Sequence, residues 1–173
     1  CRLFFLVTSL VLGVAGCGSE NAAPAAECAG AGCECVEADC TCTASSDCMT
    51  TCDGDCSLSC DMSSKCNTMA GGAASIQCHD SAECKGNGGD GSTIVCDGSA
   101  SCDLKSGANS EATCSGSSQC KLNVGPGSSV SCVEQSSCDI KCAEGGCEVT
   151  CTETANCQLN CGATETAGTL CDD

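Results

Sequence analysis

The chain has no tryptophan and no tyrosine, and both phenylalanines, Phe4 and Phe5, stand among the first few of its 173 residues. The remainder therefore has no aromatic side chain with which to fill a core, and burial alone does not offset its conformational entropy. Basic residues are scarce as well. Six Lys and Arg face 23 Asp and Glu for a formal charge of −17, and Arg2 is the only cation before Lys65. Such a surface repels nucleic acid and anionic headgroups, and neither is an expected partner. With a single histidine, His79, no catalytic triad can be assembled. There is also no apolar run of the roughly 20 residues that a membrane-spanning helix needs.

What the chain has is cysteine: 26 of them, a density that belongs to oxidising compartments outside the cytoplasm. They are arranged as a bracket, Cys-x5-Cys, that returns every eighteen residues from Cys42 to Cys138. The pairs are Cys42 and Cys48, Cys60 and Cys66, Cys78 and Cys84, Cys96 and Cys102, Cys114 and Cys120, and Cys132 and Cys138; a seventh, Cys151 and Cys157, follows one residue late. A fixed short period means identical units stacked along one axis. Two residues before each later opener stand Leu58, Ile76, Ile94, Ala112, Val130 and Val149, and two after the later closers stand Leu104, Leu122, Ile140 and Leu159. A spacing of two is the period of a strand, so these side chains point to one side. A glycine column, Gly71, Gly89, Gly107 and Gly125, keeps the same step and is expected to supply a turn with positive φ. Gly, Ser and Thr fill most other positions, which argues against helical repeats. The expected fold is all-β: a parallel β-solenoid with eighteen-residue rungs, seven of which make a rod of roughly 34 Å at about 4.8 Å per rung.

Residues 1–16 carry one positive charge and an apolar run from Leu3 to Val14, the pattern of an export signal. The run ends in Val14-Ala15-Gly16-Cys17, which resembles the lipobox of bacterial lipoproteins. The resemblance implies cleavage before Cys17, acylation of that residue and a membrane anchor through lipid. Because the chain opens on Cys1, its true start is expected to lie upstream. The organisation read from the sequence is a signal over 1–16, the lipidated Cys17 with a tether over 17–27, and a solenoid over 28–171 whose ends are closed by cysteine-dense caps.

Without Cys1 and Cys17, 24 cysteines remain, an even number that can pair completely. The fourteen bracket cysteines can pair within a rung or up a column, since stacked positions about 4.8 Å apart fall within the permitted Cα range. Column pairing takes cysteines two at a time and leaves one of seven over on each side, which favours one bridge per rung. A loop this short contributes roughly 2 to 2.5 kcal/mol in the chain-entropy account. In the caps, Cys52 with Cys56 and Cys142 with Cys147 are expected to be local bridges. The bracket CTASSDC at 42–48 resembles the Cys-Thr-x-Ser-x-x-Cys core of the cysteine-rich antifreeze proteins of beetles, solenoids with one internal disulfide per coil. Four further brackets, opened by Cys60, Cys78, Cys96 and Cys114, keep Cys-x-x-Ser-x-x-Cys. The resemblance implies an internal disulfide and an inward serine at Ser45, Ser63, Ser81, Ser99 and Ser117. It does not extend to coil length, the beetle repeat being shorter.

Beetle antifreeze proteins bind ice through Thr-x-Thr ladders around the opening cysteine. Here that motif stands at Thr41-Cys42-Thr43 and Thr150-Cys151-Thr152, with Asp61 and Asp97 among the residues between. These four threonines are the candidate ice-binding residues. Cys33-x-Cys35 and Cys40-x-Cys42 look like metallothionein ligands, but a thiolate sponge needs no eighteen-residue register. Asp53-Gly54-Asp55 is read as a solvated loop, not a calcium site. Gly86-x-Gly88-x-x-Gly91 is read as the turn of a rung, not a nucleotide loop. No metal, cofactor or catalytic residue is expected. The function read from the sequence is an exported, lipid-anchored, non-catalytic structural or binding module of the bacterial cell envelope, periplasmic or at the surface. Its partner is a protein or surface ligand, and the long faces of a solenoid also allow self-association. Ice binding is the alternative reading, and metal sequestration by thiolates the second.

Overall fold

A computed structural model describes residues 26–43, 45–143, 146–152 and 154–161. The signal segment, Cys17 and Cys171 lie outside these residues, as does the end of the second cap. The chain winds between two eight-stranded sheets. Sheet A carries, in spatial order, β1 (Ala26–Ala29), β4 (Asp47–Cys52), β6 (Lys65–Ala70), β8 (Glu83–Asn87), β10 (Ser101–Lys105), β12 (Gln119–Val124), β14 (Ser137–Cys142) and β16 (Asn156–Cys161). Sheet B carries β2 (Cys33–Val36), β3 (Asp39–Cys42), β5 (Cys56–Cys60), β7 (Ala74–Cys78), β9 (Thr93–Cys96), β11 (Glu111–Cys114), β13 (Ser128–Cys132) and β15 (Cys147–Cys151). Each coil is one strand of B, a corner inside the bracket, one strand of A and a second corner. This is the parallel β-solenoid, about seven turns long.

Register is set by the eighteen-residue period. Cys78 lies beside Cys96 and Ile76 beside Ile94 on sheet B, and Cys102 beside Cys120 and Leu104 beside Leu122 on sheet A. The late seventh bracket is explained by one extra residue between Cys142 and Cys147: β14 pairs β16 and β13 pairs β15 at a step of nineteen, and the alternation resumes at once. The first end is closed differently. β1 and β2 run antiparallel to β4 and β3, so the parallel stack meets strands of opposite direction. β1 begins at Ala26, two residues inside the segment read as tether.

Leu58, Ile76, Ile94, Ala112 and Val130 are buried from sheet B, and Leu104, Leu122 and Ile140 from sheet A, as their spacing predicts. Between them runs a spine of cystine. Each of the seven brackets closes on itself, with Cα–Cα spans of 6.2 to 6.6 Å. Cys52 is bonded to Cys56 and Cys142 to Cys147 across the second corner. A further bond, Cys35 to Cys40, ties the β2–β3 hairpin. Cys28 and Cys33 keep free thiols.

Two expectations about small residues are corrected. The serines at the fourth bracket position, Ser45, Ser63, Ser81, Ser99 and Ser117, are exposed; the buried residues are their successors, Ser46, Ser64, Ala82, Ala100 and Ser118. The reason is parity: the fifth position is two residues before the closing cysteine and shares its inward direction. The glycine column is the second correction, because none of Gly71, Gly89, Gly107 and Gly125 has positive φ. Space is what they provide. A Cβ on Gly125 would lie 2.5 Å from the Gly107 carbonyl carbon, and one on Gly89 would lie 2.6 Å from the Gly72 oxygen. In that corner positive φ falls two residues later, on Gly91, Asn109 and Gly127, and inside the bracket it falls on the third residue of five coils: Met62, Asp80, Gly98, Gly116 and Glu134.

The second corner holds a serine ladder that the sequence reading did not find. Ser92 Oγ accepts the Ala74 amide at 3.0 Å and donates to the Gly89 carbonyl at 2.7 Å. Ser110 Oγ accepts the Ser92 amide, and Ser128 Oγ the Ser110 amide. The hydroxyls take up backbone groups that the turn leaves inside.

Candidate functional site on the outer faces of the rod

Strand alternation that buries the cysteines and aliphatics turns every other side chain outward, so each sheet presents parallel columns of residues eighteen apart. On sheet B the column beside the opening cysteine runs Thr41, Ser59, Gln77, Val95, Thr113, Ser131 and Thr150. The column two residues earlier runs Asp39, Ser57, Ser75, Thr93, Glu111, Ser129 and Glu148. Hydroxyls dominate this face and no lysine stands on it.

Thr41, Thr43, Thr150 and Thr152 are all exposed. Thr41 and Thr150 are six coils apart on one column, about 29 Å at the spacing of stacked strands, and the structure does not bring the two pairs together. Gln77 and Val95 interrupt the column between them. On the other flank of the bracket, His79 Nδ1 meets Asp97 Oδ1 at 2.8 Å, one coil on.

Sheet A has a different chemistry. All five lysines of the chain, Lys65, Lys85, Lys105, Lys121 and Lys141, lie exposed on its strands, among Glu27, Asp47, Glu83, Asp103 and Asp139. The column after the closing cysteine reads Met49, Asn67, Lys85, Asp103, Lys121, Asp139 and Gln158. The next outward column reads Thr51, Met69, Asn87, Lys105, Asn123, Lys141 and Asn160. Within the sheet, Lys85 Nζ lies 2.6 Å from Glu83 Oε1. The ammonium holds the Glu83 carboxyl below its usual range, and the carboxylate raises Lys85. The signal was present in the sequence, since Lys85, Asp103, Lys121 and Asp139 follow one another at eighteen residues. It becomes visible only once inward and outward positions are separated.

Other motifs resolve into scaffold. Asp55 Oδ1 of Asp53-Gly54-Asp55 accepts the Ala73 amide at 3.0 Å and so braces the second corner. The Gly86-x-Gly88-x-x-Gly91 stretch runs from β8 into the same corner, and its Gly86 lies where a Cβ would meet Thr68 backbone nitrogen at 2.7 Å. Of the cysteines resembling metallothionein ligands, Cys35, Cys40 and Cys42 are in disulfides, leaving Cys33 with Cys28 as thiols. Sulfurs of neighbouring brackets, such as Cys78, Cys96 and Cys102, lie within 4.8 Å of one another, but as disulfides they are not thiolate ligands. Two shallow depressions of about 350 and 400 Å³ are lined by turn and strand residues, one including Asp39 and Asp55 and the other Glu134. Burial and the neighbouring Cys28 push the Cys33 thiol up to about 11.

Ten disulfides among the described residues place the folded chain in an oxidising environment, extracellular or periplasmic. Among the described residues no helix is long and apolar enough to cross a membrane. Comparison with protein-family models, with curated proteins and with solved structures found no match.

Proposed function

We propose that this chain is an exported, lipid-anchored, non-catalytic structural or binding module of the bacterial cell envelope. The observation that carries the reading is the coil-by-coil clamp: seven coils in register, each closed by its own disulfide, with outer faces made of repeated columns. A scaffold of this kind keeps its shape outside the cell without a large core and offers the same surface over its whole length. The Val14-Ala15-Gly16-Cys17 sequence supports an anchor, and residues 18–25 a spacer between lipid and rod. Fractionation of the producing cell tests it. The wild-type chain is expected in the membrane fraction with an acyl mass on Cys17, and Cys17→Ser in the soluble exported fraction without it. An unacylated wild-type chain in the soluble fraction overturns the anchored reading.

The hydroxyl columns of sheet B favour ice binding as the second reading, because Thr41, Ser59, Thr113, Ser131 and Thr150 lie on one straight column. Ice-recrystallisation inhibition by the purified chain, lost in Thr113→Lys, is its expected signature. A chain inactive in that assay removes it.

A further inference from the structure

The alternation of charge on sheet A is self-complementary. Along the column beside the closing cysteine the order is Lys85, Asp103, Lys121, Asp139, so the sign changes at every strand and repeats after two, about 9.6 Å. A two-fold axis parallel to the strands, placed between β10 and β12, turns a second rod upside down and lays its sheet A on the first. Each column then faces itself in reverse. Lys85 meets the second copy's Asp139 and Asp103 meets its Lys121, and symmetry repeats both contacts to give four ion pairs.

The remaining columns do not oppose this arrangement. Lys105 faces Asn123 and Lys141 faces Asn87 in the outer column, while Lys65 faces Asn156 and Glu83 faces Ser137 in the column before the closing cysteine. No like charges meet. A parallel arrangement would set Lys85 on Lys85 and Asp103 on Asp103, so the pattern selects the antiparallel one. The rest of the molecule adds a second argument. In a chain of net charge −17, this sheet face has five lysines to five carboxylates, whereas sheet B has acids and no lysine, so sheet A is a face on which two copies can approach without opposing acidic surfaces.

We propose that the outer face of sheet A docks a second copy of this chain, antiparallel, about that axis. About that axis six strands, β6 to β16, face one another, and at about five residues each they present about 29 by 17 Å, less than the roughly 800 Å² per partner of a standard interface, so the dimer is weak. The surface is isologous, as a two-fold contact requires.

Sedimentation at about 0.15 M salt, where the Debye length is near 8 Å and the bulk repulsion is screened, tests the proposal. Every chain carries Cys17→Ser so that no lipid drives association. Wild type is expected to dimerise in the upper micromolar range. The double variant Lys85→Glu with Lys121→Glu makes the column wholly acidic, and Asp103→Lys with Asp139→Lys makes it wholly basic. Each alone is expected to weaken self-association by at least about tenfold, and their equimolar mixture to form a heterodimer with all four pairs restored. The neutral variant Lys85→Gln with Lys121→Gln, which adds no repulsion within the stack, is expected to lie between. A wild-type chain that stays monomeric to millimolar concentration overturns the proposal and confines the alternation to pairing within one sheet. So does a mixture of the two doubles that associates no more tightly than either alone.

Discussion

Thr68 is 1% exposed, and its Oγ1 has no hydrogen-bond partner. It occupies the inward column that later coils fill with Leu104, Leu122 and Ile140, so a hydroxyl sits where the fold places hydrocarbon. Thr68→Val keeps the shape and removes the unsatisfied group. It is expected to stabilise the chain by about 1 kcal/mol, seen as a higher midpoint in thermal unfolding under non-reducing conditions. Cys33 offers a second check at this scale. Its thiol is raised from 9.0 to about 11, chiefly by burial and then by Cys28, and only the thiolate reacts with iodoacetamide. Labelling of Cys33 is therefore expected to be slow at pH 8 beside an unstructured cysteine peptide and to accelerate steadily as pH approaches 11. The linked stability has a definite sign. Between pH 9 and 11 the unfolded thiol has released its proton and the folded one has not, so this group makes the fold less stable as pH rises through that window. Cys33 labelling as fast as the peptide at pH 8 contradicts the assignment.

At the scale of the coil, the bracket disulfide closes a seven-residue loop and supports the buried residues on either side. Cys96→Ser with Cys102→Ser is expected to cost about 2 to 3 kcal/mol and to raise amide exchange first in β9 and β10. His79→Ala, which removes a half-exposed contact with Asp97, is expected to cost under about 0.5 kcal/mol. Equal losses in the two variants would show that the cystine spine is not what holds the coil. The coil was largely legible from the sequence, because cysteine and aliphatic columns at a spacing of two define strands and their inner face. Corners were less legible. Ser45 and its equivalents looked inward by resemblance to a shorter coil, whereas in this one parity with the closing cysteine selects Ser46. Gly125 reads identically as a conformational or a spatial requirement until the neighbouring coil is in place. The Ser92, Ser110 and Ser128 ladder carries no signal among so many serines, since its purpose is to satisfy amides that exist only in the stack.

For the molecule as a whole, length and direction followed from the period, while its two-faced character did not. Sheet A collects every lysine and sheet B the hydroxyls, and that division appears only when the chain is wound at eighteen residues per turn with alternate positions turned out. The first cap was located by cysteine density, but its reversed strands β1 and β2 were not, because nothing in residues 26–36 marks strand direction. The brackets also set how the rod behaves under load. A coil peeled from one end frees eighteen residues, yet its disulfide holds the bracket at a span of 6.2 to 6.6 Å. At about 3.5 Å per extended residue, an oxidised coil therefore pays out about 48 Å of contour and a reduced one about 63 Å. Pulled between its two ends, the oxidised chain is expected to give regular force peaks at the shorter spacing, moving to the longer one after reduction. Coils crossed by Cys52–Cys56 or Cys142–Cys147 yield less again. Between a membrane and whatever the rod holds, the cystines thus act as strain limiters: they ration how far each turn can be drawn out.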